Sequence, residues 1–156
     1  MMNLILARDI MATKLVTLTP QMDVFEAISI LVKKRISGAP VVDEHGEFIG
    51  IFSEKCCMGV LLDSAYRRLP TTQLFAFMSS DVRTVSEEDD LLSIAQIFLT
   101  TNYRRLPVLQ GKKLVGQISR RDVLTAAHKL MKIIPDRSTT PLYLSSLVEI
   151  DELPIA

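Results

Sequence analysis

The sequence has few of the features that mark several common classes of protein. Only two cysteines and two histidines occur among its 156 residues, and basic and acidic side chains balance at 18 each. A balanced charge provides no net field to attract nucleic acid or an anionic membrane. No apolar run approaches the ~20 residues that cross a bilayer, and the chain does not open with the positive charges of a signal peptide. We therefore expect a cytoplasmic protein that binds neither nucleic acid nor membrane.

The scarcity of cysteine and histidine also limits the expected chemistry. Cys56 and Cys57 are adjacent, and a disulfide between neighbours would close a strained ring, so we expect both to be reduced. His45 and His128 lie in unrelated segments, which leaves no metal-ligand set in register. The sequence contains no nucleophile elbow, paired-histidine motif or pair of catalytic acids, so it does not predict an enzyme.

The main positive feature of the sequence is a unit that occurs twice. Adding 67 to a residue number carries Pro40 onto Pro107. Beyond a turn that is one residue shorter in the second copy, a shift of 66 carries Ser53 onto Ser119. Repeats of this kind are supersecondary units that bury their apolar faces against a neighbour.

Each copy is predicted to form a strand, a helix, two strands and a second helix. In the first copy the segments are 15–18, a helix from about 19, 38–42, 47–53 and a helix from 54. In the second copy, strands at 106–109 and 114–119 enclose a turn, and a helix follows from 120 to about 134, where Pro135 stops it. The predicted divisions are a first repeat at 1–62, a linker at 63–76, a second repeat at 77–134 and a tail at 135–156.

The first helix of each copy carries a start signal and one apolar face. Thr19 can cap the helix and Pro20 suits its first turn, and the acidic residues that follow favour the positive end of the helix dipole. Apolar residues then recur with helical spacing and predict a buried face. They are Val24, Ala27, Ile28 and Leu31 in one copy and Leu91, Ile94, Ala95 and Phe98 in the other.

This ordered set of motifs resembles the cystathionine-beta-synthase (CBS) domain, and the tandem resembles a CBS pair, or Bateman module. The resemblance covers residues 10 to 62 and 77 to 130. It rests on Ile10-Met11 and Phe77-Met78, the capped helix, the Ala-Pro-Val or Leu-Pro-Val strand, and Gly-x-x-Ser-x-x-Asp, whose last position is Cys56 in the first copy. It implies an α+β fold of two repeats packed about a pseudo-twofold axis through their three-stranded sheets. Because such pairs commonly form disc-shaped dimers, it also implies a homodimer.

The resemblance also implies a function. CBS pairs bind adenosine-containing ligands such as AMP, ADP, ATP or S-adenosylmethionine in two clefts between the repeats, and they control an attached or partner protein. By motif position, the first cleft here would take Val16, Ser37, Gly38, Ala39, Ser119, Arg120, Arg121 and Asp122. The second, degenerate cleft would take Ser53, Glu54, Lys55, Cys56, Arg83, Arg104 and Arg105.

The prediction of a nucleotide site depends most on Asp122. Its carboxylate can accept both ribose hydroxyls, while Ser119 and the free N–H groups of the first helical turn suit a phosphate. No further cofactor or metal is expected. In the second cleft Cys56 stands in place of the acid, so we expect ribose recognition to be lost there and an anion to bind weakly at most.

Two alternatives remain open from the sequence. Ser119 and Asp122 also form an ordinary helix-capping pattern, so the module could be a ligand-free dimerisation or adaptor scaffold with degenerate clefts. Cys56 could be a redox sensor, because a thiol at a helix N-terminus has a lowered pKa. We favour the interpretation that Cys57 belongs to the core and that Cys56 replaces an aspartate. The sequence assigns no position in the fold to the tail segment 142–156.

Overall fold

The computed structural model describes residues 4–66 and 71–133, and the chain divides into two compact units. The first-repeat unit contains residues 14–84 and 109–114. The second-repeat unit contains, of the described residues, 4–13, 85–108 and 115–133. The predicted helix stop at Pro135 and the tail lie outside the described residues.

From residue 24 onward, the α-helices and strands occur in the order that the repeat predicted, and the α+β class is confirmed. The first repeat contains α1 (Ala7–Ile10), α2 (Val24–Lys34), β1 (Gly38–Val42), β2 (Phe48–Ser53) and α3 (Glu54–Tyr66). A short 3-10 helix (Leu74–Ala76) precedes the second repeat, which contains β3 (Val85–Ser86), α4 (Leu91–Thr100), β4 (Arg105–Gln110), β5 (Lys113–Ser119) and α5 (Arg120–Ile133).

The two small sheets differ in the number of strands. β1 and β2 form an antiparallel pair, whereas β3, β4 and β5 form a three-stranded sheet in that order. The strand predicted at 15–18 is wrong for residues 15–17, because only Leu18 forms a bridge, in parallel with Val41. The next parallel bonds toward the N-terminus would need an N–H group at residue 40, and Pro40 has none.

The segments that lead into each repeat pack with the opposite repeat. We call residues 4–12 and 73–79 the leading segments, and each belongs to the unit built mainly from the other repeat. In the second-repeat unit, Ala7 N donates to Asp89 O at 2.8 Å and Arg8 N donates to Glu87 O at 3.0 Å. Residues distant in sequence therefore satisfy the backbone just before α4.

The second leading segment repeats this pattern in the first-repeat unit. Leu74 N donates to Met22 O at 3.0 Å and Phe75 N donates to Pro20 O at 2.9 Å. Because the carbonyls of Pro20 and Met22 are bonded to another segment, residues 19–22 do not form the first turn of α2. The capping role predicted for Thr19 is therefore wrong.

Aspartate caps the first long helix of each repeat instead. Oδ1 of Asp23 accepts from the N–H groups two and three residues later, at 2.8 and 3.3 Å. Oδ1 of Asp90 makes the same two bonds at 3.0 Å each. At each helix start, two N–H groups that have no intrahelical partner are thereby satisfied.

Each unit has its own apolar core, and the predicted helix faces line both. Val24, Ala27 and Leu31 of α2 are buried, as are Leu91, Ile94 and Phe98 of α4, whereas Ile28 and Ala95 are half-buried. The leading segments contribute Ala7 to one core and Leu74 to the other, both fully buried. Each unit therefore needs a segment from the other repeat to complete its interior.

Candidate functional site

The segment from Ser119 to Asp122 joins the end of β5 to the first turn of α5. Ser119 N donates to Asp122 Oδ2 at 2.8 Å, and the Ser119 hydroxyl donates to the same oxygen at 2.9 Å. In return, Asp122 N donates to Ser119 Oγ at 3.2 Å. This reciprocal arrangement is a capping box, so the capping role considered for the pair is confirmed.

The Asp122 carboxylate keeps acceptor capacity after it has capped the helix. Both side chains of the box are half-buried. The two bonds from Ser119 end on Oδ2, and within the described residues Oδ1 accepts no hydrogen bond. A carboxylate offers about four lone-pair positions, so this group can hold the helix start and accept further donors from a bound molecule.

Arg120 and Arg121 occupy the first turn of the same helix, and both are exposed. A cation at this end of a helix opposes the dipole, so helix stability does not account for the pair. Both arginines belong to the same first turn as N–H groups that have no partner within the helix. This part of the chain therefore offers both charge and hydrogen-bond donors to an anion.

The equivalent segment of the first repeat has the same shape, but Cys56 rather than an acid stands at the position of Asp122. Ser53 Oγ lies 3.4 Å from Cys56 Sγ and also accepts from Cys56 N at 3.4 Å. The thiol points toward the backbone as well, with Sγ 3.9 Å from Ile51 O. A thiol is a weak donor and acceptor, so this segment lacks the charged acceptor that Asp122 provides.

The remaining residues assigned to the clefts lie in both units. Val16 and Ser37 precede β1, and Gly38 and Ala39 begin it, all in the first-repeat unit. Glu54 and Lys55 begin α3 in that unit, which also contains Arg83, whereas Arg104 and Arg105 lie at the start of β4 in the second-repeat unit. That these residues meet Ser119 or Ser53 at a common ligand stays a prediction.

Sequence reasoning missed the partner of the strand that ends at Ser119. Ala12 of the first leading segment pairs with Gln117, two residues before Ser119 on β5. Ala12 N donates to Gln117 O at 2.9 Å and Gln117 N donates to Ala12 O at 3.0 Å. The available signal was Gly116, where a Cβ atom would lie 3.0 Å from Ala12 O and closer still to the Met11 side chain.

The two neighbouring cysteines have different environments. Cys57 is buried in the core, as predicted, and Cys56 is half-buried. Burial raises the pKa of the Cys57 thiol above its ordinary value of 9.0, and electrostatic repulsion from the neighbouring Cys56 and Glu54 side chains raises it further. Cys57 therefore stays protonated near neutral pH and serves as an apolar core residue.

Comparison with known proteins agrees with the repeat and with the fold. CBS domains match residues 7–63 and 74–129, which is most of the chain. The chain belongs to the CBS-domain family. CBSX2 of Arabidopsis thaliana, solved in complex with AMP, resembles this CBS pair with a TM-score of 0.71 and 26% sequence identity, over 81% of this chain and 98% of that one.

Two relatives are longer proteins in which one segment is similar to this CBS pair. The chloroplastic CBS domain-containing protein CBSX1 of Arabidopsis thaliana is 30% identical over 139 residues, or 72% of this chain and 59% of the relative. Uncharacterized protein MJ1225 of Methanocaldococcus jannaschii is 28% identical over 118 residues, or 75% of this chain and 41% of the relative. The chain therefore spans less than two thirds of each relative's length.

The described part of the CBS pair has neither a metal-ligand cluster nor a membrane-spanning helix. Residues 4–66 and 71–133 contain no group of three or more histidine, cysteine, aspartate or glutamate side chains placed to hold a metal ion. Within the same ranges, no helix combines the length and the apolar character that crossing a bilayer requires.

Proposed function

We propose that this CBS pair is a regulatory module that binds an adenosine nucleotide, AMP, ADP or ATP, and controls a partner protein. The observation that carries the proposal is the half-buried Asp122 carboxylate, which caps α5 through one oxygen and keeps the other for a ligand. The AMP complex of CBSX2, at 26% identity, supports this class of ligand. The specific nucleotide and the partner protein are part of the proposal.

The chemistry of Asp122 suits a ribose. Two neighbouring hydroxyl groups of the sugar donate to Oδ1 and to the remaining lone pair of Oδ2, while the bonds from Ser119 hold the carboxylate in place. Charge-assisted hydrogen bonds of this kind contribute about 1.5–3 kcal/mol each. Because the capping box already restricts the side chain, less rotamer entropy is lost on binding than for an unbonded carboxylate.

The phosphate of the nucleotide is proposed to lie at the start of α5. The hydroxyl of Ser119, the N–H groups of the first turn and the guanidinium groups of Arg120 or Arg121 are its partners. The residues Val16, Ser37, Gly38 and Ala39 are proposed to complete this site, with Val16 against the base. In the degenerate cleft, the absence of an acid at Cys56 predicts no ribose binding, and at most weak binding of an anion to Arg83, Arg104 or Arg105.

Isothermal titration of the purified chain with AMP, ADP and ATP tests the proposal. Asp122→Ala is expected to weaken binding by about tenfold or more, which corresponds to the loss of one charge-assisted hydrogen bond. The matched control is Cys56→Ala at the equivalent position of the first repeat, which is expected to leave the affinity unchanged. Equal affinities of the native chain and of Asp122→Ala would overturn the assignment.

A second candidate function is a ligand-free dimerisation or adaptor module. It is favoured by the substitution of Cys56 and by the fact that Asp122 already has a structural role as a cap. A thermal-shift series with adenosine compounds separates the two functions, since a ligand at a hundred times its dissociation constant adds ~2.7 kcal/mol of stability. No shift with any nucleotide would favour the adaptor.

We further propose that the module is a homodimer in the cytoplasm. Several large apolar side chains on its helices are exposed, which is what a subunit interface would cover. They are Phe25 and Val32 on α2, Met58, Leu61 and Leu62 on α3, Leu99 on α4, and Leu124 and Met131 on α5. Analytical ultracentrifugation tests this, and a native chain that sediments as a monomer at micromolar concentration would contradict it.

A further inference from the structure

The first leading segment lies directly beside the Ser119–Asp122 box. Its last paired residue, Ala12, exchanges two backbone hydrogen bonds with Gln117, at 2.9 and 3.0 Å. Gln117 and Ser119 are two residues apart on β5, about 7 Å along the strand and on the same face of it. Backbone groups two residues apart on a strand point to the same edge, so the leading segment and Asp122 bond to neighbouring positions along one edge of β5.

The leading segment is packed against the second-repeat unit along its length. Ala7 is fully buried in the core, and Leu91 N donates to Ile5 O at 2.9 Å. Gly116 is buried beneath Met11, and a side chain larger than hydrogen would collide with that methionine. A change in the order or position of β5 at Ser119 thus reaches the leading segment through direct contacts.

We propose that a nucleotide bound at Asp122 strengthens the pairing between Ala12 and Gln117, so that the first leading segment transmits the occupancy of the site. This inference rests on the proposed function. A ligand that bonds to the Asp122 carboxylate restricts the capping box, and with it Ser119 and the end of β5. A strand that is already ordered loses less entropy when it pairs with Ala12, so the two events favour each other.

The repeat provides an internal control for this proposal. In the first-repeat unit, Ser79 of the second leading segment exchanges two backbone hydrogen bonds with Ile51, both at 2.8 Å. Ile51 precedes Ser53 as Gln117 precedes Ser119, but the box that follows contains Cys56 in place of the acid. The Ser79–Ile51 pair therefore has matching backbone geometry without the carboxylate.

Hydrogen exchange of individual backbone amides, followed by NMR on the full chain with and without saturating AMP, tests the coupling. The Ala12 and Gln117 amides are expected to exchange about fivefold or more slowly with AMP, at the lower end of typical coupling between sites. The exchange rates of the Ser79 and Ile51 amides are expected to change by less than about twofold, because this pair is not coupled to the acid. Comparing the two pairs of amides separates a specific coupling from a general stabilisation of the fold by AMP, which would slow both pairs equally.

A pair of glycine variants tests the same coupling from the other direction. Gly116→Ala displaces Met11 and Ala12, so by reciprocity it is expected to weaken AMP binding by about fivefold or more. Gly50→Ala is the matched control, since its Cβ would lie 2.6 Å from Ser79 O and disturb the second leading segment instead. Gly50→Ala is expected to leave the AMP affinity within about twofold of the native value, because it does not disturb the leading segment beside Asp122.

The outcomes separate this inference from the function on which it rests. If titration shows AMP binding but the two amide pairs slow equally, or the Ala12 and Gln117 amides do not slow, the coupling is overturned and the proposed function stands. If AMP, ADP and ATP all fail to bind, both are overturned; if only ADP or ATP binds, that nucleotide replaces AMP in the exchange measurement. The amide measurement uses the native chain, so it decides the question even if Gly116→Ala fails to fold.

Discussion

The Asp122 carboxylate accepts hydrogen bonds from both the backbone N–H group and the hydroxyl of Ser119, at 2.8 and 2.9 Å. At the equivalent place in the first repeat, Cys56 approaches Ser53 no closer than 3.4 Å. The two segments share the strand-to-helix turn and differ in one acceptor. The difference between the repeats at this position is therefore chemical, and an amino-acid substitution can reverse it.

Cys56→Asp is expected to build the missing half of the first capping box. An aspartate there can accept from Ser53 N and Ser53 Oγ and places a negative charge at the start of α3. Relative to Cys56→Ala, the free energy of unfolding should rise by about 0.5–2 kcal/mol, the usual range for a cap. Urea denaturation of the two variants measures it, and equal midpoints would show that no box forms.

The helix caps identified here predict which substitutions destabilise the first helices. Asp23→Ala and Asp90→Ala should each lower the free energy of unfolding by about 0.5–2 kcal/mol, because two N–H groups lose their partner. Thr19→Ala is the control. It is expected to change the free energy of unfolding by less than about 0.5 kcal/mol, because Thr19 caps no helix. A larger loss for Thr19→Ala than for Asp23→Ala would contradict the observed helix start.

Asp90 predicts a specific dependence of stability on pH. Burial alone would raise its pKa, but bonds from the Ser93 hydroxyl at 2.6 Å and from the N–H groups of Ser93 and Leu92 bring the pKa below its ordinary value of 3.8. A carboxyl group with a lowered pKa stabilises the folded state above the unfolded pKa, and this contribution disappears as the pH falls through the folded pKa.

The matched comparison for this pH dependence is Asp90→Asn, which keeps a capping oxygen but cannot ionise. The difference in unfolding free energy between the native chain and this variant should stay constant between about pH 7 and pH 5 and shrink below about pH 4. Chemical denaturation at a series of pH values measures it. A difference that persists unchanged into strong acid would show that the ionised carboxylate is not what stabilises the helix.

The cysteines are expected to react at different rates. In single-thiol chains, Cys57 in a Cys56→Ser background should react with iodoacetamide about tenfold or more slowly than Cys56 in a Cys57→Ser background. The reason is that Cys57 is buried and its pKa is raised, so little thiolate is present and the reagent cannot reach it. Both thiols should react alike in urea, and equal rates in the folded chains would contradict the burial.

Much of the local structure was accessible from the sequence because its determinants lie close together. The apolar spacing of α2 and α4, the strands beside the two Pro-Val pairs and the start of α5 at Arg120 all depend on neighbours within a few positions. The capping box is local as well, since Ser119 and Asp122 are three residues apart. The same proximity made its ligand role hard to separate from its structural role.

The predictions that failed depended on distant partners. The carbonyls after Thr19 bond to a segment more than fifty residues away, which moves the helix start to Asp23. The first strand of the first repeat is reduced to a single bridge beside Pro40, which was visible in the sequence but has its effect only once the pairing is known. Local propensity was overridden in each case by tertiary hydrogen bonds.

The sequence by itself determined that one unit occurs twice, which faces of its helices are apolar, and that only the second copy keeps an acid three residues after the serine that ends its last strand. Those properties reside in residue types and short spacings. Only the tertiary structure decided that Ala7 completes the core of the second-repeat unit and that Ala12 pairs with Gln117. Backbone hydrogen bonds carry no residue-specific signal, so the partner of a strand edge is decided by how the whole chain packs.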